Sequence, residues 1–102
     1  MNRAIFIVED DPIISQLIEW RLKKMGFSVS GKTHTAEEAL EKIKNERPDL
    51  VLIDINLPGS MDGTELARTI REQFQIPFIF LTAYADNETT SRAIDTEPAG
   101  YL

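Results

Sequence analysis

Cysteine is missing from this chain and histidine occurs once, which excludes disulfides, thiolate chemistry and any metal site built from several histidines. Basic residues are also scarce: 11 Lys and Arg stand against 17 Asp and Glu, a formal net charge of -6. Such a balance repels phosphate backbones and supplies no basic stripe, so no direct contact with nucleic acid is expected. No apolar run approaches the roughly 20 residues of a membrane span, and the first, Ile5-Phe6-Ile7-Val8, is cut at Glu9, too short for the core of a signal peptide. A cytoplasmic protein with no membrane partner is the default expectation. Neither a P-loop nor a glycine-rich dinucleotide fingerprint occurs. At 102 residues there is room for one domain, which would bury roughly 60 to 70% of its unfolded surface.

What the chain does have is acid where apolar runs stop. Ile5 to Val8 closes on Glu9 and Asp10, Leu50 to Ile53 closes on Asp54, and Phe78 to Leu81 stops at Thr82. Short runs of β-branched, leucine and aromatic residues bounded by turn formers read as strands buried on both faces, the signature of a parallel sheet covered by helices. Ligands of such sheets bind at the carboxyl ends of the strands, where strand order reverses. Three strand ends are therefore expected to converge on one acidic pocket.

Between the strands the signals are helical. Asp11-Pro12 is an N-cap followed by proline at the first helical position, and Ile14, Leu17, Ile18, Leu22 and Met25 share an arc expected to face inward, with Arg21 intruding on it and Gly26 as the stop. Phe27 to Lys32 reads as a second strand. Thr35 with Glu38 predicts a capping box opening a helix that runs to about Glu46. A third helix opens at Gly63 and carries Leu66, Ala67 and Ile70, with Asp62 as its cap rather than a metal ligand. Pro77 opens the fourth strand, a polar helix is expected from about Asp86 to Asp95, and Gly100-Tyr101-Leu102 starts a fifth strand. Strict alternation of strand and helix predicts a doubly wound α/β sheet.

Carboxylates held a few ångströms apart repel by about 4 kcal/mol per pair at an effective dielectric near 20. A hard divalent cation relieves this, and Mg2+ is typically held by one or two carboxylates together with a phosphate. An acidic pocket with Mg2+ and a nearby hydroxyl suits phosphoryl transfer, in which a carboxylate can itself be the nucleophile.

Five segments in order then carry a resemblance. Val8-Glu9-Asp10-Asp11-Pro12, Asp49-Leu50-Val51-Leu52-Ile53-Asp54-Ile55-Asn56-Leu57-Pro58, Met61-Asp62-Gly63, Leu81-Thr82-Ala83 and Ala99-Gly100-Tyr101-Leu102 are similar to the motifs of receiver domains from two-component response regulators. The resemblance implies a flavodoxin-like parallel sheet of order 2-1-3-4-5. It also implies that Asp54 takes a phosphoryl group from a phosphohistidine of a sensor histidine kinase or histidine phosphotransfer protein. Asp10 and Asp54 would bind Mg2+ directly, the Asn56 carbonyl would add a ligand, and Glu9 would act through water. Thr82 would hydrogen-bond the phosphoryl group, and Tyr101 would swing inward as Thr82 moves. Asn56 and Tyr84 would tune the lifetime of the phosphorylated state. Such a domain catalyses its own phosphorylation and dephosphorylation without being a conventional enzyme.

Two departures accompany the resemblance. The stretch Pro58-Gly59-Ser60-Met61-Asp62-Gly63 is one residue longer than the family usually has, which lengthens the loop beside the metal. The family's lysine would fall about two residues beyond Leu102, followed by a fifth helix, so residues 1–102 are read as a receiver domain truncated before that helix. An uncovered flank is then expected to favour self-association, a homodimer included. Two further readings stand beside the phosphoacceptor one: a pseudo-receiver that binds partners without phosphorylation, and an aspartyl-nucleophile phosphatase, whose second aspartate is replaced here by Asn56. His34, between two threonines, reads as a solvated loop residue. Ile13 and Trp20 lie off the inward arc, with Ile13 near the pocket rim.

Overall fold

The computed structural model describes residues 3–55, 57–81 and 100–101. Five parallel strands form one sheet in the order β2-β1-β3-β4-β5, with β1 over Ala4–Val8, β2 over Ser28–Thr33, β3 over Leu50–Asp54, β4 over Phe78–Leu81 and β5 over Gly100–Tyr101. Helix α1 (Pro12–Lys24) links β1 to β2, α2 (Ala36–Glu46) links β2 to β3, and α3 (Gly63–Thr69) leads towards β4. The fold is the doubly wound α/β sheet that the alternation predicts, in the flavodoxin-like order that the resemblance implies. β1 lies between β2 and β3, so the chain winds outward in opposite directions from the β1/β3 boundary, and that boundary is the switch point.

The alternation of side chains along each strand sorts the apolar runs into two faces. Phe6 and Val8, Val51 and Ile53, and Phe78 and Phe80 point to one face, where they pack with Ala36, Ala39 and Ile43 of α2 and Leu66 and Ala67 of α3. Each of these strand residues is essentially inaccessible to solvent, and burying a side chain of that size stabilises the fold by about 1.5–3 kcal/mol. Ile5, Leu50, Leu52 and Ile79 point the other way, where with Leu22 and Phe27 they line an apolar groove of about 350 Å³ beside α1.

Helix α1 corrects one expectation. Ile14, Leu17 and Met25 are 43%, 48% and 70% exposed, so these three members of the expected arc do not face inward; Ile18 and Leu22 of the same arc are partly buried, and Ser15 is the buried residue of the helix. The Asp11 carboxylate caps the helix, accepting from the Ile13 and Ile14 amides at 2.9 and 3.4 Å, and Glu19 reaches Lys32 of β2 at 2.8 Å. Ser15, Ile18 and Leu22, at helical spacing, are turned towards the sheet.

Two smaller differences concern helix ends. At α2, the Thr35 hydroxyl accepts from the Glu38 amide at 3.3 Å and donates to the Glu38 carboxylate at 3.1 Å; the reciprocal capping box stands instead at α3, between Asp62 and Glu65. The third helix does not stay α-helical through Ile70: a π-helical turn over Ile70–Phe74 follows it and ends at Gln75, whose amide donates to the Ile70 carbonyl at 2.8 Å. β2 starts and ends one residue later than expected. The helix expected over 86–95 lies outside the described residues. Among those described, no helix is long and apolar enough to cross a membrane.

Candidate functional site

The register of the central strands brings the acids together. Val8 of β1 pairs with Ile53 of β3, so the residues that follow, Glu9 and Asp54, leave the sheet side by side at its carboxyl edge. One carboxylate oxygen from each of Glu9, Asp10 and Asp54 lies within 4.8 Å of the others. Two of the three expected strand ends therefore meet. Thr82, Asn56 and Tyr84 fall outside the described residues, and Tyr101 is placed by its backbone, paired with Phe80 at the β4/β5 edge.

The three acids sit in different surroundings. Glu9 is 5% exposed, Asp10 is exposed and Asp54 is intermediate. Glu9 is also held through its backbone: its amide donates to the Thr33 carbonyl at 3.1 Å, and its carbonyl lies 3.0 Å from His34 Nδ1. A carbonyl only accepts, so Nδ1 carries the hydrogen in that contact. His34 is solvated as the sequence suggests, yet it pins the end of β1 to the loop before α2.

Burial pushes the Glu9 carboxyl up to about 8, assisted by hydrogen bonds to Asp54 and Asp10 and by the negative charge of Asp54. Asp10 is held below the ordinary aspartate range, first by its hydrogen bond with Glu9. A proton kept on Glu9 relieves the repulsion within the cluster. A hard divalent cation meets the same need from the same oxygens: the donor set is all carboxylate and open on the Asp10 side, which fits Mg2+.

A pH dependence follows. Glu9 titrates near 4.5 in an unfolded chain and near 8 in the folded one, so between these values the native state binds more protons, and stability falls as pH rises. This contribution is fully present below pH 4.5 and lost by about pH 8. In chelator, the parent should therefore melt at a higher temperature at pH 6 than at pH 8.5, and Glu9→Gln should flatten the difference. An equal drop in both proteins would assign the titration to another group.

Two features of α3 bear on the site. The Asp62 carboxylate accepts from the Glu65 amide at 3.0 Å and the Thr64 hydroxyl at 2.7 Å, which makes it a helix cap, as expected, outside the acidic cluster. Gly63 comes so close to the acid's backbone that a Cβ built on it would lie 2.1 Å from the Asp54 carbonyl oxygen. Its amide donates to the Ile55 carbonyl at 3.0 Å. Sequence reasoning places Gly63 only as a helix start; the close approach carries no local signal.

Comparison with known proteins agrees with this geometry. The family described as the response regulator receiver domain matches residues 5–102. The signal receiver domain of a modulated diguanylate cyclase from Desulfovibrio desulfuricans is 35% identical, with a TM-score of 0.95 over 100% of this chain and 81% of that one. The BeF3-activated N-terminal receiver domain of Klebsiella pneumoniae RstA is 36% identical, with a TM-score of 0.86 over 97% of this chain and 83% of that one. A CheY-like receiver domain protein from Methanospirillum hungatei is 33% identical, with a TM-score of 0.89 over 100% and 81%.

Proposed function

The chain belongs to the response regulator receiver domain family, and from that premise we propose that Asp54 accepts a phosphoryl group from a phosphohistidine in a Mg2+-dependent reaction. The observation that carries this reading is the convergence of Glu9, Asp10 and Asp54 at the switch point of a parallel sheet. The family identity implies a histidine kinase or histidine phosphotransfer protein as partner.

In the proposed step a carboxylate oxygen of Asp54 attacks phosphorus. An O–P bond forms as the P–N bond breaks, and the electron pair leaves with the donor imidazole. Asp10 and Asp54 would hold the cation directly, Glu9 would lose its proton to solvent and support the cation through water, and the Asn56 carbonyl would complete the protein ligands. Mg2+, when bound, neutralises charge on the phosphoryl oxygens and orients them. Thr82 donates its hydroxyl to the phosphoryl group, and the response passes to Tyr101 on β5, a local charge change read out by a bistable element. The activated state of the Klebsiella relative supports a switch of this kind. Ile13 is 76% exposed at the start of α1, next to the acids, and suits an apolar contact with the phosphodonor protein.

The test is intact mass after incubation with acetyl phosphate. One phosphoryl group should be gained in Mg2+, none in EDTA, and hydroxylamine should remove it, as expected of an acyl phosphate. Uptake that persists in EDTA, or a label stable to hydroxylamine, would exclude the reading.

A further inference from the structure

We propose that Glu37, in the first turn of α2, is a positioning residue for the acidic site, acting by fastening the loop that leaves Asp54; this rests on the reading of that site as a Mg2+-assisted phosphoacceptor. The Glu37 carboxylate accepts from the Ser60 hydroxyl at 3.1 Å and from the Met61 amide at 3.2 Å. Its two oxygens also lie 3.5 Å from the position a Cβ would take on Gly59, the residue at which the loop turns with φ +100. One side chain of α2 thus holds two consecutive residues of the β3–α3 connection, Ser60 and Met61, beside the turn at Gly59.

The consequence follows from how that connection is tied. Its base is closed by the bond from the Gly63 amide to the Ile55 carbonyl, and Leu57 and Met61 lean on the core beside it. Its tip, from Pro58 to Ser60, is exposed and is held to the body of the protein by Glu37. The loop begins one residue after Asp54, so freedom at the tip is passed along the chain towards the acid's backbone, against the base contacts and the pairing of Asp54 with Leu81. Glu37 itself stands on a firm support, because the neighbouring Ala36 and Ala39 are fully buried. The longer loop noted in the sequence therefore has a specific anchor.

A plainer role would be to place negative charge at the N-terminus of α2, which favours the helix dipole. The two roles separate by substitution. Glu37→Gln removes the charge but keeps an amide oxygen that can accept from Met61 and Ser60, whereas Glu37→Ala removes both.

The experiment uses the whole chain, its Glu37→Ala and Glu37→Gln variants, amide exchange and chemical shifts by NMR, and titration with MgCl2 alone. In Glu37→Ala, exchange at the Met61 amide should accelerate about tenfold, a local opening rather than global unfolding. Mg2+ affinity should weaken roughly three- to tenfold, below the 10–100-fold typical of direct partners of metal ligands. The Asp54 and Ile55 amide shifts should move, and Glu37→Gln should restore most of each effect. The proposal is overturned if Met61 exchange in Glu37→Ala is unchanged, if it accelerates while Mg2+ affinity and the Asp54 and Ile55 shifts stay as in the parent, or if Gln behaves as Ala does. Should the parent bind no Mg2+, the reading of the site fails on its own, and the Asp54 and Ile55 shifts still decide whether Glu37 positions them.

Discussion

Asp54→Asn is expected to abolish phosphoryl uptake from acetyl phosphate and, in the same molecule, to raise stability. The loss follows from chemistry. An amide oxygen is a far weaker nucleophile than a carboxylate, and removing the nucleophile from a group of residues that act together costs at least on the order of 10³-fold. The gain follows from the cluster. Asp54 is a cause of the upward shift at Glu9, through their hydrogen bond and through its negative charge, so neutralising it removes a like charge from beside a buried acid. In chelator at pH 8.5, where Glu9 is largely ionised in the parent, the variant should melt at a higher temperature. Rates come from intact mass against time, stability from thermal melts. Uptake at the parent's rate would remove Asp54 from the reaction, and a lower melting temperature would mean that the acids are not close enough to repel.

Gly63→Ala should damage stability and uptake together. Alanine improves helix propensity by up to about 1 kcal/mol over glycine in a helix interior, and less at a first helical position such as this one. Against that stands a methyl group that would sit 2.1 Å from the Asp54 carbonyl oxygen and 2.8 Å from the Ile55 Cα. Both contacts are backbone, which cannot swing aside as a side chain does, and overpacking of this kind costs typically 1–3 kcal/mol. The steric term wins, so urea unfolding should move to lower denaturant. The strain is relieved by moving α3 away from β3 or by moving the Asp54 backbone, and a displacement of about 1 Å at a reacting group can cost about 10²-fold in rate. A Gly63→Ala protein as stable and as readily phosphorylated as the parent would show that α3 does not press on this strand end.

The parts of the site that were legible in the sequence depend on neighbours along the chain. Ile5 to Val8 and Leu50 to Ile53 announce buried strands because four consecutive apolar residues have no other economical place in a domain of this size, and an acid that ends such a run must emerge at the strand's edge. Asp11-Pro12 and Asp62 are legible as caps because a cap satisfies amides two or three residues away. The order of strands in the sheet came from the resemblance, and the structure agrees with it.

What tertiary structure alone decided involves partners far apart in sequence. Of the arc expected on α1, Ile18 and Leu22 are partly buried while Ile14, Leu17 and Met25 are exposed, a division decided by what packs against the helix. Glu9 and Asp10 are adjacent and both acidic, yet one is buried and keeps its proton while the other is exposed and ionises readily. His34 reaches the Glu9 carbonyl across 25 positions, and Glu37 reaches Ser60 and Met61 across 23 and 24. The physical reason is common to all of these. Backbone periodicity and capping are short-range and leave a record in local sequence, whereas the proton affinity of a carboxylate and the anchoring of a loop are set by whatever other segments bring to within a few ångströms.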